Sequence, residues 1–198
     1  GGGTNWPGGS VDPETGIFYQ YSFTTVTSLG LVNDPERSDM NFIRGNPAGV
    51  PARDRALTIR GLPLIKPPWG RITAIDLKRG EVLWQVPHGE TPDNVREHPE
   101  LEGVDIPRTG RIGRVGTLIT KTLVIAGEGG TFTTPSGELG AMLRAYDKAT
   151  GEEVGEVYMP APVTGSPMTY MHEGAQYIVV AAGGGGHSGE LLAYRLLD

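Results

Sequence analysis

His88, His98, Glu97, Glu100, Glu102 and Asp105 crowd one stretch of the 198-residue chain and carry nitrogen and oxygen donors from which a cation site could be built. Pro92, Pro99 and Pro107 break the same stretch, so the acids read as a solvated face on a polar loop rather than a cage. His187 and Ser188, after Gly183-Gly184-Gly185-Gly186, have the residue types of a base and a nucleophile. Sequence neighbours lack that geometry without a third group, and no Lys-Ser or Lys-Thr follows to make a phosphate loop. The run reads as a turn between the last two strands. Gly127-Glu128-Gly129-Gly130 leads into Thr131-Phe132-Thr133-Thr134-Pro135, which is not helical, so no dinucleotide fingerprint is present. Asp12, Asp76 and Asp147 occupy turn sequences, where a carboxylate bonds nearby backbone N–H groups. No residue is assigned as a catalytic base or a metal ligand.

The elements available to carry a site are short strands. Runs rich in Val, Ile, Leu, Tyr and Thr are separated by Gly, Pro and Asp clusters, which predicts strands at 17–26, 71–77, 81–87, 115–120, 123–127, 141–147, 152–158, 166–171, 176–182 and 190–196. Residues 27–70, with Pro47, Pro51, Pro63, Pro67 and Pro68, and residues 88–111 lack alternation and read as excursions between strands. Gly at 31 and Pro at 16 positions suit tight turns, and 37% hydrophobic residues in this pattern exclude simple disorder. A net charge of −6 with no basic stripe argues against nucleic acid. There is no cysteine, which excludes a disulfide or thiolate site, and no apolar run approaches the ~20 residues of a membrane span. The opening Gly-Gly-Gly-Thr-Asn-Trp has neither Met nor an apolar leader, as expected of a piece of a longer chain and equally of a processed or engineered start.

A repeat organises the strands. Ala74-Ile75-Asp76, Gly80 and Trp84 recur as Ala145-Tyr146-Asp147, Gly151 and Gly155 at equal offsets, with a third echo at Leu192-Ala193-Tyr194. Each later echo follows a Gly-bounded hairpin, so one unit is about four strands. Four-stranded antiparallel units repeated about an axis describe the blades of an all-β propeller, with Trp84 docking between two of them. The chain, 1–198, would supply about three blades of a larger ring, completed by further sequence or by copies of itself.

Gly2-Gly3-Thr4-Asn5-Trp6, Trp69 through Leu77 leading to Trp84, Leu143-Arg144-Ala145-Tyr146-Asp147 and Gly165 through Tyr170 occur in an order that resembles pyrroloquinoline quinone (PQQ) dependent dehydrogenases, especially those similar to membrane-bound glucose dehydrogenase. The resemblance implies an eight-bladed β-propeller in the periplasm that oxidises aldose sugars or alcohols and passes electrons to a quinone or other acceptor. It implies PQQ as cofactor, with Asn5 as a polar contact, Trp6 as an aromatic wall, and Gly116 and Thr117 on an inner strand close to the ring. It also places the Ca²⁺ ligands and the catalytic base upstream of Asn5, so the chain alone is expected to be inactive. A non-catalytic propeller module for binding or assembly is the alternative, and the Gly-Gly-x-Asn-Trp segment favours the enzyme.

Overall fold

A computed structural model describes residues 2–28, 30–45, 57–134 and 136–196; Pro47 and Pro51 of the first excursion lie outside them. The chain divides into two compact units, one of Thr25–Lys66 with Gly1–Gly2, the other of Gly3–Thr24 with Pro67–Asp198. Within the first, Gly30–Val32 pairs with Ile43–Gly45 and Thr58–Ile59 with Leu62–Pro63. These ladders are short, as the prolines require.

The second unit consists of three antiparallel sheets. The first has β1 (Gly9–Asp12), β2 (Ile17–Thr24), β3 (Gly70–Asp76) and β4 (Glu81–Pro87) in that spatial order, and the two-residue strand Gly2–Gly3 also belongs to it. The second has β5 (Thr117–Ile119), β6 (Leu123–Gly127), β8 (Leu139–Asp147) and β9 (Glu153–Met159) in order, with β7 (Phe132–Thr133) on the start of β8. The third has β10 (Met168–His172), β11 (Ala175–Gly184) and β12 (His187–Arg195). All three echoes of the repeat fall on the third strand of their sheet. The last sheet has the three strands predicted at 166–171, 176–182 and 190–196 and, among the described residues, no counterpart of β4 or β9. The three sheets do not close into a ring.

One apolar core runs through all three sheets, from Tyr19, Tyr21, Ile72 and Ala74 through Val124, Ile125, Leu143 and Met159 to Val163, Ile178 and Val180. Alternation on β2 buries Tyr19 and Tyr21 in it, while β8 is covered on both faces, with Ala141, Leu143 and Tyr146 in the core and Arg144 buried as well. Turn chemistry follows the expected form, with Asp76 Oδ1 accepting from the Lys78 and Arg79 backbone and Asp147 Oδ1 from Ala149 and Thr150. Gly151, at φ +76°, lies under the Trp84 indole, where a Cβ would meet ring carbon at 2.7 Å. Trp84 Nε1 donates to the Lys148 carbonyl at 3.2 Å, and its ring is tilted on Tyr19 at 5.7 Å. Trp84 is nevertheless half-buried rather than enclosed, since β4 is an edge strand.

Candidate functional site

A cleft of about 450 Å³ opens among Trp6, Phe23, Ile112, Gly113, Arg114, Gly129, Pro162, Val163, Thr164 and Gly183, contributed by all three sheets and their connections. Glycine makes one wall possible. A Cβ on Gly113 would stand 2.7 Å from the Gly129 Cα, and one on Gly129 2.5 Å from the Gly113 Cα, so the two backbones touch directly. The opposite wall is held by main-chain bonds, Val163 N–H to the Glu128 carbonyl, Thr164 N–H to Ala181 and Gly183 N–H to Pro162, each 2.9–3.0 Å. Trp6 is 69% exposed and presents its indole to the cleft. Asn5 Oδ1 accepts the Trp6 backbone N–H at 2.8 Å and its carbonyl accepts from Gly8, which leaves the Asn5 side-chain NH₂ as a donor.

Of the four residues expected at the cofactor, Trp6 lines the cleft, whereas Asn5, its neighbour in sequence, and Gly116 and Thr117 are not in its wall. Gly116 is pressed against Ser166, whose Oγ a Cβ would meet at 2.1 Å. The Thr117 hydroxyl donates to Ser10 Oγ at 3.0 Å and to the Tyr19 carbonyl at 3.3 Å, while Ser10 Oγ donates to the Thr117 carbonyl at 2.6 Å. These bonds join the first two sheets. The poly-Gly turn is tighter than 183–189: Gly184 pairs with His187, so only Gly185 and Gly186 are at its tip, and His187 Nε2 meets Glu190 Oε1 at 2.7 Å.

A second recess, of about 410 Å³, is lined by Glu90, Arg96, Arg108, Phe132, Met142, Arg144 and their neighbours. Sequence reasoning did not find its core. Arg144, 1% exposed, bonds Glu128 (2.7 Å), Glu153 (2.8 Å), Glu156 (2.5 Å) and Glu90 (3.1 Å), and Arg108 bonds Glu90 and Glu153 as well. Burial pushes the Glu128 carboxyl up from its usual range, and Arg144 pulls against that shift. His88 is separated from the acidic loop it was grouped with. It lies buried, with Nδ1 against Tyr146 Oη (2.8 Å) and Nε2 against the Gly127 carbonyl (3.1 Å), and burial pushes its pKa down to about 4. Glu97, Glu100, Glu102 and Asp105 are exposed.

A planar quinone bearing carboxylates needs flat apolar surface and rim donors. The cleft offers both: Trp6, Phe23, Ile112, Pro162 and Val163 as surface, backbone exposed by Gly113 and Gly129, and Arg114 as a donor. These residues fit one side of such a ligand. A Ca²⁺ ion fits less well, since the cleft lining has no carboxylate, and among the described residues no three His, Asp or Glu could hold a metal.

Antiparallel sheets packed on one another through a shared core are the make-up of a β-propeller. Residues 1–178 match the family described as glucose/ethanol/alcohol dehydrogenase, β-propeller domain, with PQQ in its name. The chain belongs to that family. It is 30% identical to a probable quinate dehydrogenase (quinone) of Xanthomonas campestris pv. juglandis over 100% of this chain and 26% of the relative. It is 34% identical to the quinoprotein glucose dehydrogenase of Escherichia coli K12 over 70% of this chain and 17% of the relative. Quinohemoprotein alcohol dehydrogenase from Pseudomonas putida HK5 shares the fold, with a TM-score of 0.55 at 20% identity, covering 92% of this chain and 22% of that one. The chain thus spans about a quarter of the length of such full-length relatives.

Proposed function

We propose that this chain is the C-terminal portion of a PQQ-dependent dehydrogenase that oxidises an aldose sugar or alcohol, and that it supplies one side of the cofactor site. The observation that carries the reading is the cleft, where an exposed indole, an arginine unpartnered among the described residues and two glycine backbones converge. When bound, PQQ accepts the hydride lifted from a CH–OH carbon. Trp6 covers a ring face or edge and keeps water away from it, and the Asn5 NH₂ donates to a ring oxygen or carboxylate. The glycine contact between Gly113 and Gly129 lets main chain approach a flat ligand without side chains intervening. Gly116 and Thr117 act from beneath, fixing the inner strand that follows the Gly113 wall.

The catalytic base and the Ca²⁺ ligands belong to the remainder of the propeller, which also covers the free faces of these sheets. Electrons leave to a quinone or similar acceptor, in the periplasm. Dye-linked oxidation by the full-length enzyme tests the reading: turnover of sugars or alcohols should require added PQQ and fall when Trp6 is replaced by Ala. PQQ-independent turnover, or PQQ that fails to bind, would point to a different activity or to a non-catalytic binding module.

A further inference from the structure

Arg114 is the only charged residue lining the cleft, and it makes no hydrogen bond or ion pair with any described residue. The arginines lining the other recess are engaged by carboxylates, and Arg111, whose Nε and Nη2 have no hydrogen-bond partner among the described residues, is engaged in part. Arg96 pairs with Asp93 (2.6 Å), Arg108 with Glu90 (3.0 Å) and Glu153 (2.5 Å), Arg144 with four glutamates, and Arg111 donates to the Thr131 carbonyl and lies over the Phe132 ring. Arg114 also stands on a fixed base. Gly113 before it is pressed on Gly129, Val115 after it is 3% exposed in the core, and Gly116 is pressed on Ser166. A cation whose backbone is fixed at a recess, with no protein anion to meet it, has bonding capacity for a ligand.

We infer that Arg114 recognises a carboxylate of the molecule in the cleft, bidentately. The inference rests on the cleft being the cofactor and substrate site proposed above. That carboxylate has two sources, PQQ itself or a hydroxy-acid substrate in place of a neutral sugar. Arg114 is exposed and unpartnered, so Arg114→Gln and Arg114→Lys should fold with unchanged melting temperature.

The test uses the full-length protein and these two variants. PQQ affinity is read from thermal unfolding of apoenzyme titrated with PQQ. KM is then measured on holoenzyme for a cyclic polyhydroxy acid, quinate, and for neutral glucose. If the carboxylate is the cofactor's, Arg114→Gln weakens PQQ binding about 10- to 100-fold and leaves both KM values near wild type. If it is the substrate's, PQQ affinity holds while KM for quinate rises by a similar factor and that for glucose does not. Lys, with charge but no fork, recovers part of either loss. Unchanged PQQ affinity and unchanged KM values overturn the inference. If PQQ does not bind the wild-type protein, the functional reading fails by itself. Calorimetric titration of the apoprotein with quinate then decides: weaker binding to Arg114→Gln sustains the role of Arg114, and equal or absent binding ends it.

Discussion

Between the 88–111 segment and the second sheet four glutamates and two arginines bond one another, whereas in the cleft at Trp6 the one arginine has no partner among the described residues. Both recesses are of similar size and both contain guanidinium groups. Charge alone therefore does not mark a binding site. In the first recess the hydrogen-bonding capacity, Glu128 Oε2 excepted, is spent within the cluster and pins a loop to the face of β8; in the second that of Arg114 is left over, and walls of glycine backbone and exposed indole leave room to use it. The contrast separates residues that act on stability from residues that act on a ligand, and each prediction below strains one side of it.

The largest effect belongs to the buried pair. Arg144→Ala leaves Glu128 as a buried, uncompensated carboxylate and should cost about 3–5 kcal/mol in chemical denaturation. A loss under 1 kcal/mol would mean that water already solvates the cluster. His88 comes next. Its folded pKa near 4 lies below its ordinary 6.5, so the unfolded chain binds the proton more readily. The stability it contributes is complete above pH 6.5 and is lost as the pH falls toward 4, by up to about 3 kcal/mol. His88→Gln should flatten that part of the stability–pH curve, and an unchanged slope would place the titration elsewhere. Trp84→Ala should cost about 2 kcal/mol, less than a fully buried tryptophan because one face of the indole is open. A loss as large as 4 kcal/mol would show that the ring is covered in solution by something beyond Gly151 and Tyr19.

Local patterning made much of the fold legible. β6, the Gly-bounded turns and the three echoes on third strands follow from alternation and turn chemistry that act over a few residues. β1 and β7 were missed: Gly9-Ser10-Val11-Asp12 and Phe132-Thr133 are too short and too polar to show a period, and only pairing with β2 and β8 makes them strands. Asn5 and Trp6 were visible as a segment, but the cleft that Trp6 lines was not, since its walls come from positions near 6, 23, 113, 129, 163 and 183. The Glu128–Arg144 pair was hidden for a similar reason. Gly127-Glu128-Gly129-Gly130 was weighed as a dinucleotide fingerprint, and nothing local says that the one acid in it points inward at an arginine on β8.

The smallest stability effect falls on the seam between the first two sheets. Thr117→Val removes the bond to Ser10 and should cost about 1 kcal/mol without altering PQQ affinity, because that hydroxyl is occupied by protein. A loss of PQQ affinity at unchanged stability would instead put Thr117 in the site.

The central claim is that the cleft at Trp6, and not the charged recess, receives PQQ. Equilibrium titration of PQQ into the full-length apoprotein tests it most directly, comparing Trp6→Ala in the cleft with Ser136→Ala in the recess. The account predicts that Trp6→Ala weakens PQQ binding about tenfold at unchanged melting temperature, while Ser136→Ala binds as wild type. Full PQQ affinity in Trp6→Ala, or a loss confined to Ser136→Ala, would contradict it.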